Sequence, residues 1–198
     1  STARYATLHL AERIRRVELT DVVGVPTSQE TARLARHEGI PLAAPEDWVR
    51  IDLTIDGADE VDPELNVIKG RGGFLLREKI VAFATRREVI IVDESKLVKR
   101  LGIRTPIPVE VIPFGWRHTR LALERTGAVV SLRQVDGRTF VTDEGNYVLD
   151  CQYEGIASPY ELAAALEAMP GVVEHGLFLN MVHTVVVASP EGVRVIEG

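Results

Sequence analysis

Val49-Arg50-Ile51-Asp52-Leu53-Thr54-Ile55-Asp56-Gly57-Ala58-Asp59-Glu60 is the stretch that decides the fold. Val49, Ile51, Leu53 and Ile55 alternate with Arg50, Asp52, Thr54 and Asp56, the period-two pattern of a strand, which puts Asp56 at the strand's carboxyl end. In open α/β sheets ligands collect at that edge. Nine residues after Glu60 come Lys69-Gly70-Arg71-Gly72-Gly73 and then Glu78-Lys79, so acids, lysines and a glycine-rich loop share one short strand-loop-helix segment. That is the composition of an active site.

On the amino-terminal side, Tyr5, Leu8, Ala11 and Ile14 have near-helical spacing within Ala3 to Arg16, and Val22 to Val25 reads as a short buried strand. Thr27 and Glu30 have capping-box spacing, Leu34 lies in the helix that follows, and Gly39 is its stop. On the carboxyl side a helix is expected from about Phe74 to Arg86. It leads into Val89-Ile90-Ile91-Val92-Asp93, an apolar run typical of a parallel strand covered on both faces. This half reads as α/β, a doubly wound and mostly parallel sheet.

The character changes near Gly102, where a domain boundary belongs. Pro106, Pro108 and Pro113 punctuate a strand from Ile107 to Ile112, and a helix follows from about Trp116 to Thr126. Strands are expected at Val129 to Arg133, Phe140 to Thr142 and Tyr147 to Cys151, joined through Asp136-Gly137 and Glu144-Gly145-Asn146 as antiparallel hairpins. Ser158-Pro159-Tyr160-Glu161 combines an N-cap serine, a proline at the first helical position and a glutamate at the third, opening a helix to about Met169. Strands at Val172 to Leu179, Thr184 to Ala188 and Val193 to Ile196 complete a smaller α+β unit whose last strands return to the first. The expected division is 1–101 plus 179–198 for the catalytic domain and 102–178 for the smaller one.

The 198 residues, 45% hydrophobic and 26% charged, suffice for one large domain or two small ones with cores of their own. A net charge of -6 allows a small anion in a local basic pocket but gives nucleic acid no broad basic face. No run approaches the roughly 20 apolar residues of a membrane span. With no signal peptide visible and Cys151 as the single cysteine, the expected location is cytoplasmic, with no membrane partner and no internal disulfide. Cys151 reads as a buried inert thiol, and Phe114 and Trp116 as hinge or core packing. His9, His37, His118, His175 and His183 show no metal spacing and read as structural or surface residues.

In the helix after the glycines, Phe74, Leu75, Leu76, Ile80, Val81, Ala82, Phe83 and Ala84 surround Arg77-Glu78-Lys79. Three consecutive residues span about 200° of a helix, so at least one of these charges faces packed surface. Glu78 shares its side with Phe74 and Leu75, which makes it a half-desolvated carboxylate and a candidate general base. The competing reading is a solvated stripe in which Glu78 pairs with Lys79 or Arg77. Asp56 and Asp59, three apart across Gly57 and Ala58, suit the hydroxyls of a small polar ligand; alternatives are a divalent cation held with Glu60 and Asp62, or a solvated turn. Lys69 with Gly70, Gly72 and Gly73 gives a loop whose amides can approach an anion. The spacing matches neither G-x-G-x-x-G nor G-x-x-x-x-G-K-[ST], so nicotinamide cofactors and nucleoside triphosphates are not favoured. Lys96, after Asp93-Glu94-Ser95, reaches the same carboxyl edge as Asp56.

Taken together, Asp56-Gly57-Ala58-Asp59-Glu60, Lys69-Gly70-x-Gly72-Gly73, Arg77-Glu78-Lys79, Ser95-Lys96, Pro108-Val109-Glu110-Val111-Ile112-Pro113, Pro170-Gly171-Val172-Val173 and Gly176-Leu177-Phe178 closely resemble the ribose-5-phosphate isomerase family, type A. The resemblance spans almost the whole chain. It implies interconversion of ribose 5-phosphate and ribulose 5-phosphate through an enediol, with no metal and no organic cofactor. It assigns Glu78 as the base, Asp56, Asp59 and Lys69 to hydroxyl binding, ring opening and the enediolate, and Gly57, Ala58, Gly70, Arg71, Gly72 and Lys96 to substrate contact. Ser1 and Thr2 match the last two residues of the family's Gly-Thr-Gly-Ser-Thr phosphate loop, so a preceding strand and its glycines are expected outside the chain. It further implies a ferredoxin-like second domain and a homodimer or a dimer of dimers. Rival readings are a sugar-phosphate-binding regulatory module, which needs no base, and an acyl-CoA transferase, whose glutamate would form a covalent intermediate.

Overall fold

The computed structural model describes residues 2–198. Helix α1 (Thr2–Arg15) packs on α2 (Gln29–His37) through Ala11 and Ala35, with Ile40, just beyond α2, completing the cluster. The cap of α2 is Ser28, whose hydroxyl accepts from Thr31 N at 3.0 Å, and not Thr27. Val22 to Val25 is not a strand: only Gly24 forms a parallel bridge, to Leu42. Pro26 and Pro41 have no N–H, which limits this pairing to one rung.

Strand β1 covers Thr54–Asp56 alone, shorter than the alternation from Val49 suggests. Its neighbour β4 (Glu88–Asp93) begins opposite Thr54, so before Thr54 the pairing is reduced to one isolated parallel bridge, Ile51 to Thr85, and Val49 is almost fully exposed. Between them lie β2 (Glu60–Val61), β3 (Val67–Ile68) and α3 (Leu75–Phe83). A 3₁₀ turn (Glu94–Lys96) follows β4. Next come β5 (Ile107–Val111), α4 (Trp116–Glu124), β6 (Val129–Leu132), β7 (Gln134–Val135), β8 (Arg138–Thr139), β9 (Tyr147–Gln152), α5 (Pro159–Glu167) and β10 (Val172–His175). The chain closes with β11 (Leu177–Phe178), β12 (Thr184–Ser189) and β13 (Gly192–Glu197).

The first sheet runs β1-β4-β12-β13, with β1, β4 and β12 parallel and β13 antiparallel, so the final strands do return to the first half. A short antiparallel sheet, β11-β3-β2, stands beside it. Val61, Val67, Ala82, Ile90, Val92, Phe178, Val185 and Val187 form their common core. The third sheet is antiparallel in the order β10-β5-β9-β6, which with α4 and α5 is the ferredoxin-like arrangement. Its core gathers Ile107, Val109, Val111, Leu123, Leu149, Cys151 and Leu166. Burial pushes the Cys151 thiol up to about 12, as an inert core residue requires.

Several expectations need correction here. Phe140 to Thr142 is not a strand, because Asp136 and Gly137 both take positive φ and close a tight hairpin that pairs Val135 with Arg138 immediately. Only Val141 makes an isolated bridge, to Tyr147. Ser158 precedes α5, yet its side chain makes no capping hydrogen bond. Phe114 is 90% exposed, whereas Trp116 packs edge-on against Tyr147.

The expected strand from Val172 to Leu179 is broken at Gly176, where the chain crosses from the third sheet to the short one. Gly176 N donates to Pro108 O at 2.8 Å, and Gly176 O accepts from Lys69 N at 2.9 Å. A Cβ at Gly176 would collide with the Lys69 carbonyl and lie 2.6 Å from Pro108 Cδ, so only glycine allows this approach. The crossing delivers Lys69 to the seam between the two halves.

A second tie at this seam is Glu60, fully buried on β2. Its carboxylate accepts from Gly102 N (2.6 Å), Arg104 N (2.7 Å) and Thr105 N (2.6 Å), fixing the segment that leads into β5. Glu60→Gln turns an amide N–H against one of these donors. It should lower the unfolding free energy by about 2–3 kcal/mol, read from urea denaturation.

Candidate active site

The strand end, the hairpin β2–β3 and the first turn of α3 bring three charges together. Lys69 leaves β3 with its ammonium buried and aimed at the end of β1. Nζ lies 2.7 Å from Asp56 Oδ2, donates to Gly57 O at 2.7 Å, and stands 3.3 Å from Glu78 Oε2. The Phe178 ring lies 5.6 Å from the same nitrogen, a cation–π contact from the wall of the site. Asp56 Oδ1 accepts from Gly57 N at 2.7 Å, so both oxygens of that carboxylate are engaged.

Glu78 differs. Its contact with Lys69 lacks the alignment of a hydrogen bond, and Oε2 is buried with no hydrogen-bond partner among the described residues. The side chain keeps 12% of its surface, enough to meet a ligand and too little for full hydration. Burial raises the Glu78 pKa, with Asp56 and Asp59 adding to the rise and Lys69 opposing it. For Lys69, burial works against the charge, but Asp56 and Glu78 outweigh it and raise its pKa, so the ammonium stays protonated. The arrangement pairs a carboxylate disposed to accept a proton with a permanent cation beside it, which suits proton abstraction from a carbon whose neighbouring oxygen gains charge.

Asp59 sits one step further along the loop, its Oδ2 accepting from Arg71 N at 3.2 Å. Gly57 and Ala58 are half-buried between the two aspartates. Gly70 takes φ +96, and a Cβ there would fall 2.6 Å from Leu75 Cβ; Gly72 is exposed, and Gly73 backs onto the Phe140 ring. Arg71 lines a cleft of about 320 Å³ together with Arg104, Thr105, Pro106, Arg133 and Asp150. Lys96 is half-buried in the 3₁₀ turn after β4, and its ammonium makes no ion pair among the described residues, so it is not drawn into the Lys69 cluster. Ser1 lies outside the described residues, and Thr2 opens α1. Among the described residues no group of three His, Cys, Asp or Glu is arranged to hold a metal ion. No described helix is long and apolar enough to cross a membrane.

Sequence reading missed two residues. Arg133 donates Nη1 to Gly70 O (3.1 Å) and Arg71 O (2.9 Å) while its remaining nitrogens grip Asp150, so it holds the glycine loop from the third sheet. Nothing local in the sequence marks it. Glu88 is fully buried at the start of β4, with Oε2 unpartnered, and burial, with Asp56 adding, raises its pKa to about 8. Its signal was available, since period two places it on the inward face with Ile90 and Val92.

The comparisons with known proteins agree with one another. Residues 23–192 match the family model described as ribose 5-phosphate isomerase A (phosphoriboisomerase A). The ribose-5-phosphate isomerase A of Gloeobacter violaceus is 56% identical over 197 residues, covering 99% of this chain and 85% of that protein. The ribose 5-phosphate isomerase of Plasmodium falciparum superposes with a TM-score of 0.97 at 38% identity, covering 100% of this chain and 87% of its own. A D-ribose-5-phosphate isomerase solved in complex with phospho-erythronic acid gives a TM-score of 0.96 at 39% identity, with 100% and 87% coverage.

The protonated Glu88 carboxyl contributes stability below pH about 4.5 that is lost as pH rises towards about 8. Glu88→Gln, neutral throughout, should therefore gain on the wild type across that window by up to about 1.4 kcal/mol per pH unit, measured by urea unfolding at several pH values. A pH-independent difference would contradict a buried, protonated Glu88.

Proposed function

As the chain belongs to the ribose 5-phosphate isomerase A family, we propose that it interconverts D-ribose 5-phosphate and D-ribulose 5-phosphate, the aldose-ketose isomerisation of the non-oxidative pentose phosphate pathway. The observation that carries the mechanism is the Glu78 carboxylate: buried, without a hydrogen-bond partner on Oε2, and 3.3 Å from the ammonium that also holds Asp56.

With the open-chain aldose bound, Glu78 takes the proton from C2. The C–H electrons form the C1–C2 double bond while the carbonyl π pair moves to O1. The negative charge appears beside Lys69, whose protonated state is secured by Asp56 and Glu78, and a donor placed this way is worth about 3 kcal/mol to the transition state. The O2 proton then passes to O1 as C2–O2 becomes a carbonyl, and the C1–C2 double bond takes the proton that Glu78 returns to C1. Both protons stay within the sugar, and Glu78 ends as the carboxylate it began as. Asp56 and Asp59 bind hydroxyls and assist ring opening. Gly57, Ala58, Gly70, Arg71 and Gly72 line the substrate, and Lys96 with Ser1 and Thr2 serves its phosphate end. No step in this sequence calls for a metal or an organic cofactor.

The same reading divides the chain into 1–101 plus 179–198 and 102–178, a division supported by the separate parallel and ferredoxin-like sheets, although the cores interlock across it, with Ile68, Val98 and Leu101 in the second and Phe178 in the first. It also makes the protein a cytoplasmic homodimer or a dimer of dimers, which the exposed Phe83 and Phe114 side chains suit as subunit contacts.

Glu78→Gln should leave ligand affinity within about an order of magnitude and lower turnover at least a hundredfold, consistent with a general-base contribution of about 10²–10⁴. Inhibitor titration reads the first effect and a coupled assay of ribulose 5-phosphate formation the second. Unchanged turnover would remove the mechanism and leave the regulatory sugar-phosphate module as the better reading.

A further inference from the structure

Glu78 occupies the middle of three consecutive charged residues on α3, and its two neighbours make contacts that the chemistry above does not use. Arg77 reaches the turn between β8 and β9, with Nε 2.6 Å from Glu144 Oε1 and Nη1 3.1 Å from Asp143 Oδ2. Lys79 is buried and faces β10. Its Nζ donates to Glu174 Oε1 at 2.6 Å and to the His175 carbonyl at 2.5 Å, and the Phe178 ring lies 4.9 Å away. Glu174 Oε1 also accepts from His175 N at 2.8 Å, so the acceptor is itself fixed. Both neighbours therefore anchor α3 to elements of the ferredoxin-like unit, while Glu78 between them faces Lys69 of the first unit. The Phe178 ring touches both ammonium groups and so links the Lys79 anchor to the reacting lysine.

We propose that Arg77 and Lys79 are positioning residues, tying α3 to the ferredoxin-like unit on either side of Glu78 so that its carboxylate is held against Lys69. The unit that carries neither the base nor the reacting lysine thus aims the base. This rests on the reading of Glu78 as the base. Lys79 carries the larger share, because its ammonium and its partners are desolvated and a displaced ammonium would be left buried without a counter-charge. The Arg77 pairs are about one-third exposed, and pairs of that kind contribute little. Positioning to well under an ångström matters here, since a shift of about 1 Å at a reacting group costs on the order of 10²-fold in rate.

The test measures kcat, KM, thermal midpoint and the primary isotope effect on ribose 5-phosphate deuterated at C2, for Lys79→Met, Glu174→Gln, Arg77→Met and Glu78→Gln. Glu174→Gln keeps the size of the acceptor and leaves α3 unaltered, so it decides the matter if Lys79→Met fails to fold. Positioning predicts that kcat falls about 10- to 100-fold in Lys79→Met and by a smaller factor in Glu174→Gln, with KM within about threefold of wild type. The isotope effect should rise in both, as misaligned proton transfer becomes rate-limiting, and Arg77→Met should change each quantity least. A purely structural ion pair would instead lower the thermal midpoint and leave kcat per folded molecule and the isotope effect at wild-type values. That result, with Glu78→Gln inactive, overturns this inference and spares the base. Full turnover by Glu78→Gln overturns both.

Discussion

The buried ammonium of Lys69 is the interaction on which the rest depends. Removing a cation from water is costly, and in this interior the cost is offset because Asp56 and Gly57 O each bond the nitrogen at 2.7 Å while Glu78 stands at 3.3 Å. Two acids around one cation leave the cluster short of positive charge. Asp56 takes the better geometry, and Glu78 is left with an unbonded oxygen whose protonation burial favours. Hydrogen-bond alignment and burial together make two chemically similar carboxylates unequal, one bonded through both oxygens and the other disposed to take up a proton.

The fold explains why the lysine is there. β3 belongs to a three-stranded sheet whose other edge is supplied by β11, and the chain enters β11 only after passing Gly176 between the Lys69 carbonyl and Pro108. The Glu60 carboxylate and the Arg133 guanidinium fasten the flanking loops to the same seam. Each tie crosses from one core to the other, so the relative placement of the two units and the geometry of the site are one constraint.

Much of this was legible in the sequence, and the exceptions have physical reasons. The alternation from Val49 to Asp56 located Asp56 at the strand's end, although only Thr54–Asp56 form strand and the apolar Val49, Leu53 and Ile55 are exposed, because alternation marks extended backbone whereas pairing and burial need a neighbour. The acids, the lysine and the glycines stand close in sequence because hairpin β2–β3 and α3 are local structures. Arg133, Glu174 and His175 act on that segment from more than 60 residues away, and no periodicity encodes such contacts. Ser158 carried the right residues for a cap without making the bond, which shows that composition licenses an interaction and the surrounding chain decides it. Glu88 is a different failure: an acid on the inward face of an apolar strand is a visible anomaly, and the continuous hydrophobic run beside it masked the alternation.

The account turns on burial outweighing the ion pair at Glu78. The most direct measurement is the titration of the Glu78 side-chain carboxyl followed by ¹³C NMR, in the wild type and in Lys69→Met. The wild-type midpoint should lie above the ordinary value of 4.5, and loss of the lysine should move it higher still. A wild-type midpoint at or below 4.5 would mean that Lys69 dominates and that Glu78 is a salt-bridge partner instead of a base.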